Sequence, residues 1–237
     1  MSLNVNYYEK ERLESTVRSL CPIIKRQVHS GNLGAAWDDS KIRHELVTCI
    51  LSSQVRYEMA DSAAERLDKA GLLDECWWNG KAGRFESRVI KVLLGRTSKS
   101  QDHWRYRFPR ARARNIAEAR EFLAKNSICD RLLDGSDPKE KRRWLVAHIS
   151  GIGPKQASMF LRNSGVSYDL AILDKHVLRY LEIQHLLSPR PAILSNIKTY
   201  ELIEQIIISY AESLGYPVGY LDWAIWATMQ AAKEVGL

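Results

Sequence analysis

At 237 residues the chain is long enough for one substantial domain, or two packed lobes, with a sizeable core. Its formal net charge of +7 and pI near 9.2 favour polyanionic partners, whether DNA, RNA or an anionic membrane surface. No stretch has the length of a transmembrane helix, and Met1 to Tyr8 lacks the apolar core of a signal peptide, so an intracellular protein of the cytoplasm or nucleoid is expected. Cys21, Cys49, Cys76 and Cys129 are widely spread and include no C-x-x-C pair. That excludes zinc-type spacing and makes a disulfide framework implausible, so reduced, mostly buried thiols are expected.

Along the chain the apolar residues recur at helical spacing, and an all-α protein is expected. Ile42, Leu46, Cys49 and Ile50 form one apolar face, and Ala60, Ala63, Ala64 and Leu67 another. The run from Trp104 to Arg114 interleaves aromatic residues with five arginines. Rings in such a run can stack on bases while guanidinium groups pair with phosphates. Phe108 is thus a candidate pocket wall, and Arg110 and Arg112 are candidate backbone contacts. Beyond the break at Gly135-Ser136-Asp137-Pro138, Lys139, Lys141, Arg142 and Arg143 read as a solvated helix face.

Gly151-Ile152-Gly153-Pro154-Lys155 then allows a tight turn whose amides can face a phosphate, with Pro154 suited to a first helical turn. Gly151, Gly153 and Ser150 are the candidate phosphate contacts, as an N–H nest, against the plainer reading of a helix-helix connection. Leu173-Asp174-Lys175-His176-Val177 reads as a second helix start with a carboxylate at its mouth. Leu202, Ile203, Ile206, Ile207, Tyr210, Ala211 and Leu214 recur at helical spacing between Thr199 and Gly215, and a break follows at Tyr216-Pro217. Asp222 and Trp226 stand four apart, on one helix face. Their carboxylate and indole suit the donor edge and the flat face of a guanine-type base.

The segment from His148 to Asn163 resembles the helix-hairpin-helix of the base-excision DNA glycosylase superfamily (HhH-GPD), and Ala171 to Val177 resembles the segment that carries its aspartate. The likeness is strongest from about Ile42 to Leu181. It implies a two-lobed helical fold with the active-site cleft between lobes. Residues 42–181 would form a central lobe with the hairpin at 144–163, and 1–41 with 182–237 the second lobe. It also implies that Lys155 is a nucleophile and Asp174 its catalytic partner. Ile50 to Arg56 is similar to the family's L-S-x-Q segment, which makes Gln54 the candidate wedge for the gap left by a flipped nucleotide. The iron–sulfur branches carry four closely spaced C-terminal cysteines, and nothing after Cys129 supplies them. The Asp222-x-x-x-Trp226 ending and Tyr106-Arg107-Phe108 resemble the iron–sulfur-free 8-oxoguanine glycosylases of the archaeal type and the related second group.

On that resemblance the chain is expected to excise 8-oxoguanine from double-stranded DNA and then cut the strand by β-elimination, as a monomer, with no metal or organic cofactor. Lys155 would form the Schiff base. A neighbouring carboxylate favours the charged amine, so Asp174 is better suited to stabilising positive charge on the sugar than to activating lysine. A main-chain carbonyl, or the carboxylate at Leu237, is a candidate acceptor for the N7–H that marks the lesion. Two other readings stay open: a glycosylase for oxidised pyrimidines with a different pocket, and a non-catalytic hairpin module that grips DNA. The second predicts salt-sensitive binding without a covalent intermediate.

Overall fold

A computed structural model describes residues 7–30, 39–78, 84–95, 105–188 and 194–234. Among these, all regular structure is α-helical: α1 (Tyr7–Ser30), α2 (Asp39–Leu51), α3 (Tyr57–Lys69), α4 (Glu75–Trp78), α5 (Phe85–Leu93), α6 (Pro109–Leu123), α7 (Ile128–Leu133), α8 (Pro138–His148), α9 (Pro154–Asn163), α10 (Lys175–Ile183), α11 (Ile197–Leu214) and α12 (Val218–Glu234). No helix among the described residues is long and apolar enough to cross a membrane. The chain divides into two compact units, residues 36–164 and residues 1–35 with 165–237.

In the unit of residues 36–164, α2 packs against α3, α6 and α9, α5 against α3 and α6, and α8 against α9. The apolar faces expected on α2 and α3 are buried, as are Phe85, Val89, Ile116, Phe160 and Leu161. Each fully buried large apolar side chain contributes roughly 1.5–3 kcal/mol. The basic cluster of α8 differs from its expected solvated face, because Lys141 and Arg142 are buried. Lys141 Nζ donates to the Leu132 carbonyl (2.7 Å) and to Asp134 (3.1 Å), and Arg142 donates to Ser158 Oγ on α9 (3.2 Å). Those acceptors make burial of two cations tolerable. Asp134 in turn is held well below the usual carboxylate range, chiefly by its bonds from Ser136.

The other unit has its core between α1, α10, α11 and α12, with Val17, Cys21, Ile24, Leu178, Tyr180, Ile207, Leu221 and Ile225 at the centre. Gly215 ends α11 in the left-handed conformation (φ 74°), a common helix stop. The buried stripe of α11 is Tyr200, Glu204, Ile207 and Ala211, whereas Leu202 is 72% exposed. The apolar spacing therefore located the helix and most of its inward face, since Ile203, Ile206, Tyr210 and Leu214 pack against the same core and Leu202 points outward. The carboxylate of Glu204 lies on that buried face as well.

Candidate active site

The hairpin is built locally by its caps. Asp137 accepts from Lys139 N (2.8 Å) at the start of α8, and Ile149 ends it. The chain then turns through Gly151 at φ +84°, and Gly153 caps α9 with extended backbone and no side-chain acceptor. Pro154 takes the first helical position and Lys155 the second. A Cβ at Gly151 would lie 2.8 Å from Asn115 Cγ, so the turn is closed against the side of α6. Ser150 is half-buried in the same turn.

Helix α9 is tied to α2 behind it. Glu45 Oε1 accepts from Asn163 Nδ2 (2.8 Å) and Cys49 Sγ (3.2 Å), while burial pushes the Glu45 carboxyl up from its ordinary value. Burial also pushes the Cys49 thiol far up. The positive charges of Lys155 and Arg162 act in the opposite sense, so the half-buried Lys155 and the base of α9 are electrostatically coupled to α2.

The loop after α2 carries Gln54, exposed and at φ +62°. A left-handed glutamine costs about 1 kcal/mol or more and persists only where its surroundings enforce it. Here α6 and the segment before it do so. Arg112 Nη2 donates to the Ser53 carbonyl (3.1 Å), and the Tyr106 hydroxyl donates to the Leu51 carbonyl. The Asn115 amide accepts from Arg112 Nη1 (3.1 Å) when its nitrogen donates to the Ala111 carbonyl. Arg112 thus has both terminal guanidinium nitrogens engaged inside the unit. Phe108 stands at the start of α6 with the guanidinium of Arg107 4.9 Å and that of Arg112 5.9 Å from its ring centre. Arg110 is exposed, and Trp104 and Leu237 lie outside the described residues.

In the unit of residues 1–35 and 165–237, Asp174 caps α10. Its Oδ1 accepts from His176 N (2.8 Å) and Val177 N (2.9 Å), the reason an aspartate is favoured there. Asp222 is 1% exposed, and its Oδ2 accepts from Ile172 N at 2.5 Å. Trp226, one turn further along α12, is 38% exposed. Lys155 and the Gln54 loop thus belong to the first unit, and Asp174, Asp222 and Trp226 to the second.

A family model described as 8-oxoguanine DNA glycosylase matches residues 87–216, more than half of the chain. The 8-oxoguanine DNA glycosylase/AP lyase of Sulfolobus acidocaldarius is 32% identical over 183 residues, covering 77% of this chain and 78% of that protein. This chain belongs to the 8-oxoguanine DNA glycosylase family. The Thermotoga petrophila 8-oxoguanine DNA glycosylase/AP lyase is 43% identical over 121 residues, a match that spans 51% of this chain and only 56% of that relative. Among solved structures, the 8-oxoguanine DNA glycosylase of Thermotoga maritima superimposes with a TM-score of 0.70 at 28% identity, over 92% of this chain and 93% of that one. The Methanocaldococcus jannaschii 8-oxoguanine DNA glycosylase gives 0.72 at 25% identity, over 98% and 97%.

Within this glycosylase-family chain, three polar residues escaped the sequence reading: Tyr200, Glu204 and Asn115. Glu204 had one available signal, a lone carboxylate among Leu202, Ile203, Ile206 and Ile207. Asn115 had none, since only the packing of α6 brings it to Gly151.

Proposed function

We propose that the protein is an 8-oxoguanine DNA glycosylase with AP lyase activity. The observation that carries this reading is the extent of the family match, which contains the hairpin, Lys155 and Asp174 together. The substrate is double-stranded DNA, whose damaged nucleotide must leave the stack before C1′ can be reached. Gly151, Gly153 and Ser150 bind a backbone phosphate by their amides, supported by the uncapped start of α9. Arg110 meets a further phosphate. Arg112 works at the same edge by holding the loop from which Gln54 enters the vacated stack. Phe108 walls the pocket and Trp226 stacks on the base, whereas Asp222 one turn before it is 1% exposed and bound to Ile172 N, so it supports the backbone beneath the base instead of reading its edge.

The neutral Nζ of Lys155 attacks C1′, and the C1′–N bond breaks with its electron pair leaving on the base. Loss of a proton from nitrogen and opening of the sugar give the Schiff base. Removal of a C2′ proton then expels the 3′ phosphate by β-elimination. Asp174 stabilises the positive charge that develops on the sugar and relays protons. Its Oδ1 is bound to the α10 amides, so Oδ2 is the oxygen for that task. None of these steps calls for a metal or organic cofactor. One flipped nucleotide needs one pocket, so a monomer suffices, working on DNA in the cytoplasm or nucleoid.

Borohydride trapping on a duplex with 8-oxoguanine opposite cytosine tests the reading, with thymine glycol as the control lesion. The expected result is a covalent adduct on the 8-oxoguanine duplex that Lys155→Gln abolishes. Trapping on thymine glycol alone would overturn the substrate, and tight binding with no adduct on either would overturn the lyase step.

A further inference from the structure

The residues leading to Asp174 are buried and outside any helix, and no β-strand lies beside them among the described residues. Ala171, Ile172 and Leu173 are 0%, 6% and 3% exposed. Buried amides must find acceptors, and in an irregular segment with neither helix nor sheet partners those come largely from side chains. Three consecutive amides are met here by three different side chains. Glu204 Oε1 accepts from Ala171 N (3.0 Å), Asp222 Oδ2 from Ile172 N (2.5 Å) and the Tyr200 hydroxyl from Leu173 N (3.0 Å). The Tyr200 hydroxyl also donates to the Ala171 carbonyl (2.8 Å), so one group pins both ends of the segment. Asp174 N closes the run on the Ile172 carbonyl (2.8 Å).

Tyr200 and Glu204 stand four apart on the buried face of α11, both 0% exposed. Burying a carboxylate and a phenol in a helix face that could be aliphatic is costly unless each is well bonded. What these two bond is the backbone that delivers Asp174.

We propose that Tyr200 and Glu204 are positioning residues for base excision, acting through Asp174. This rests on the reading of Asp174 as the carboxylate that faces the sugar. With Oδ1 fixed by α10 downstream and the backbone fixed by the clamp upstream, Oδ2 is held at one place. A charge-stabilising group loses its effect when displaced by about 1 Å, with rate losses on the order of 100-fold.

The test is a double-mutant cycle on single-turnover excision of 8-oxoguanine, comparing Tyr200→Phe, Asp174→Asn and the double variant. Thermal melting and affinity for a duplex with a tetrahydrofuran abasic-site analogue serve as checks of fold and binding. Tyr200→Phe is expected to slow excision about 10- to 100-fold with analogue affinity unchanged, and the double variant to be no slower than Asp174→Asn alone. A wild-type rate for Tyr200→Phe, or a further loss of the same size on top of Asp174→Asn, would overturn the proposal. Should Asp174→Asn itself excise at the wild-type rate, the reading of Asp174 fails instead, a distinguishable result. Glu204→Met and Glu204→Gln give a second route where Tyr200→Phe does not fold. The Met variant, without an acceptor, is slow, and the Gln variant, which keeps one, recovers the rate; equal rates for the two would count against the clamp.

Discussion

Gly151 and Gly153 look equivalent as letters, two glycines flanking one isoleucine, yet they answer to different physics. Gly151 sits at φ +84° with the Asn115 amide where a Cβ would go, whereas Gly153 is extended at φ −99° and ψ 178° and would meet only Gln156 Oε1 at 3.3 Å. Alanine at 151 therefore carries both a left-handed penalty and a clash with a side chain that is itself held by Arg112. Gly151→Ala is expected to destabilise the fold by about 1–3 kcal/mol, and Gly153→Ala by clearly less. Urea unfolding of the two variants checks this. Equal losses would mean that neither the left-handed backbone nor the Asn115 contact at Gly151 adds a penalty. The turn was legible in the sequence because glycine and proline act locally. The asymmetry within it was not, because it is imposed by α6, a distant part of the chain.

Helices are the scale at which the sequence spoke most clearly. The starts of α8 and α10 at Asp137 and Asp174, and the stop of α11 at Gly215, all follow from local capping chemistry. Facing is different, since it depends on which neighbour arrives. Lys141 and Arg142 turn inward because Leu132, Asp134 and Ser158 offer acceptors, and Glu204 turns inward because Ala171 N needs one. Asp174 shows how a helix cap and a proposed catalytic group share one side chain, and the two duties separate by substitution. Asp174→Ala removes the acceptor for His176 N and Val177 N and is expected to cost about 1 kcal/mol of stability, while Asp174→Asn keeps an acceptor and costs a few tenths. Both lose the charge, so both are expected to excise slowly. Thermal melting beside single-turnover rates checks the pair; an Asn variant as unstable as the Ala variant would contradict the cap.

Across the whole molecule, net positive charge suits a polyanion, but the buried ionisable groups decide how the fold responds to pH. Burial pushes the Cys21 thiol up to about 11, and burial with the Asp39 carboxylate pushes Cys129 up to about 12. Cys49 is raised further, first by burial and then by Glu45. Tyr180 and Tyr210, whose hydroxyls lie 3.0 Å apart, are also raised, mainly by burial. In the unfolded chain thiols ionise at about 8.5 and phenols at about 10. Above those values the unfolded chain binds fewer protons than the native one, so stability falls as pH rises, and it continues to fall until the native groups ionise. The contribution is fully present below about pH 8.5 and is lost progressively towards about pH 11 and beyond. The melting temperature is therefore expected to decline steeply across that alkaline window. Cys21→Ala removes one titrating thiol and is expected to flatten the decline while lowering the neutral-pH melting temperature through the cavity it leaves. Circular-dichroism melts of both proteins at stepped pH decide the matter, and a melting temperature that stays level from neutral pH to about pH 11 would refute the assignment of these thiols as protonated in the fold.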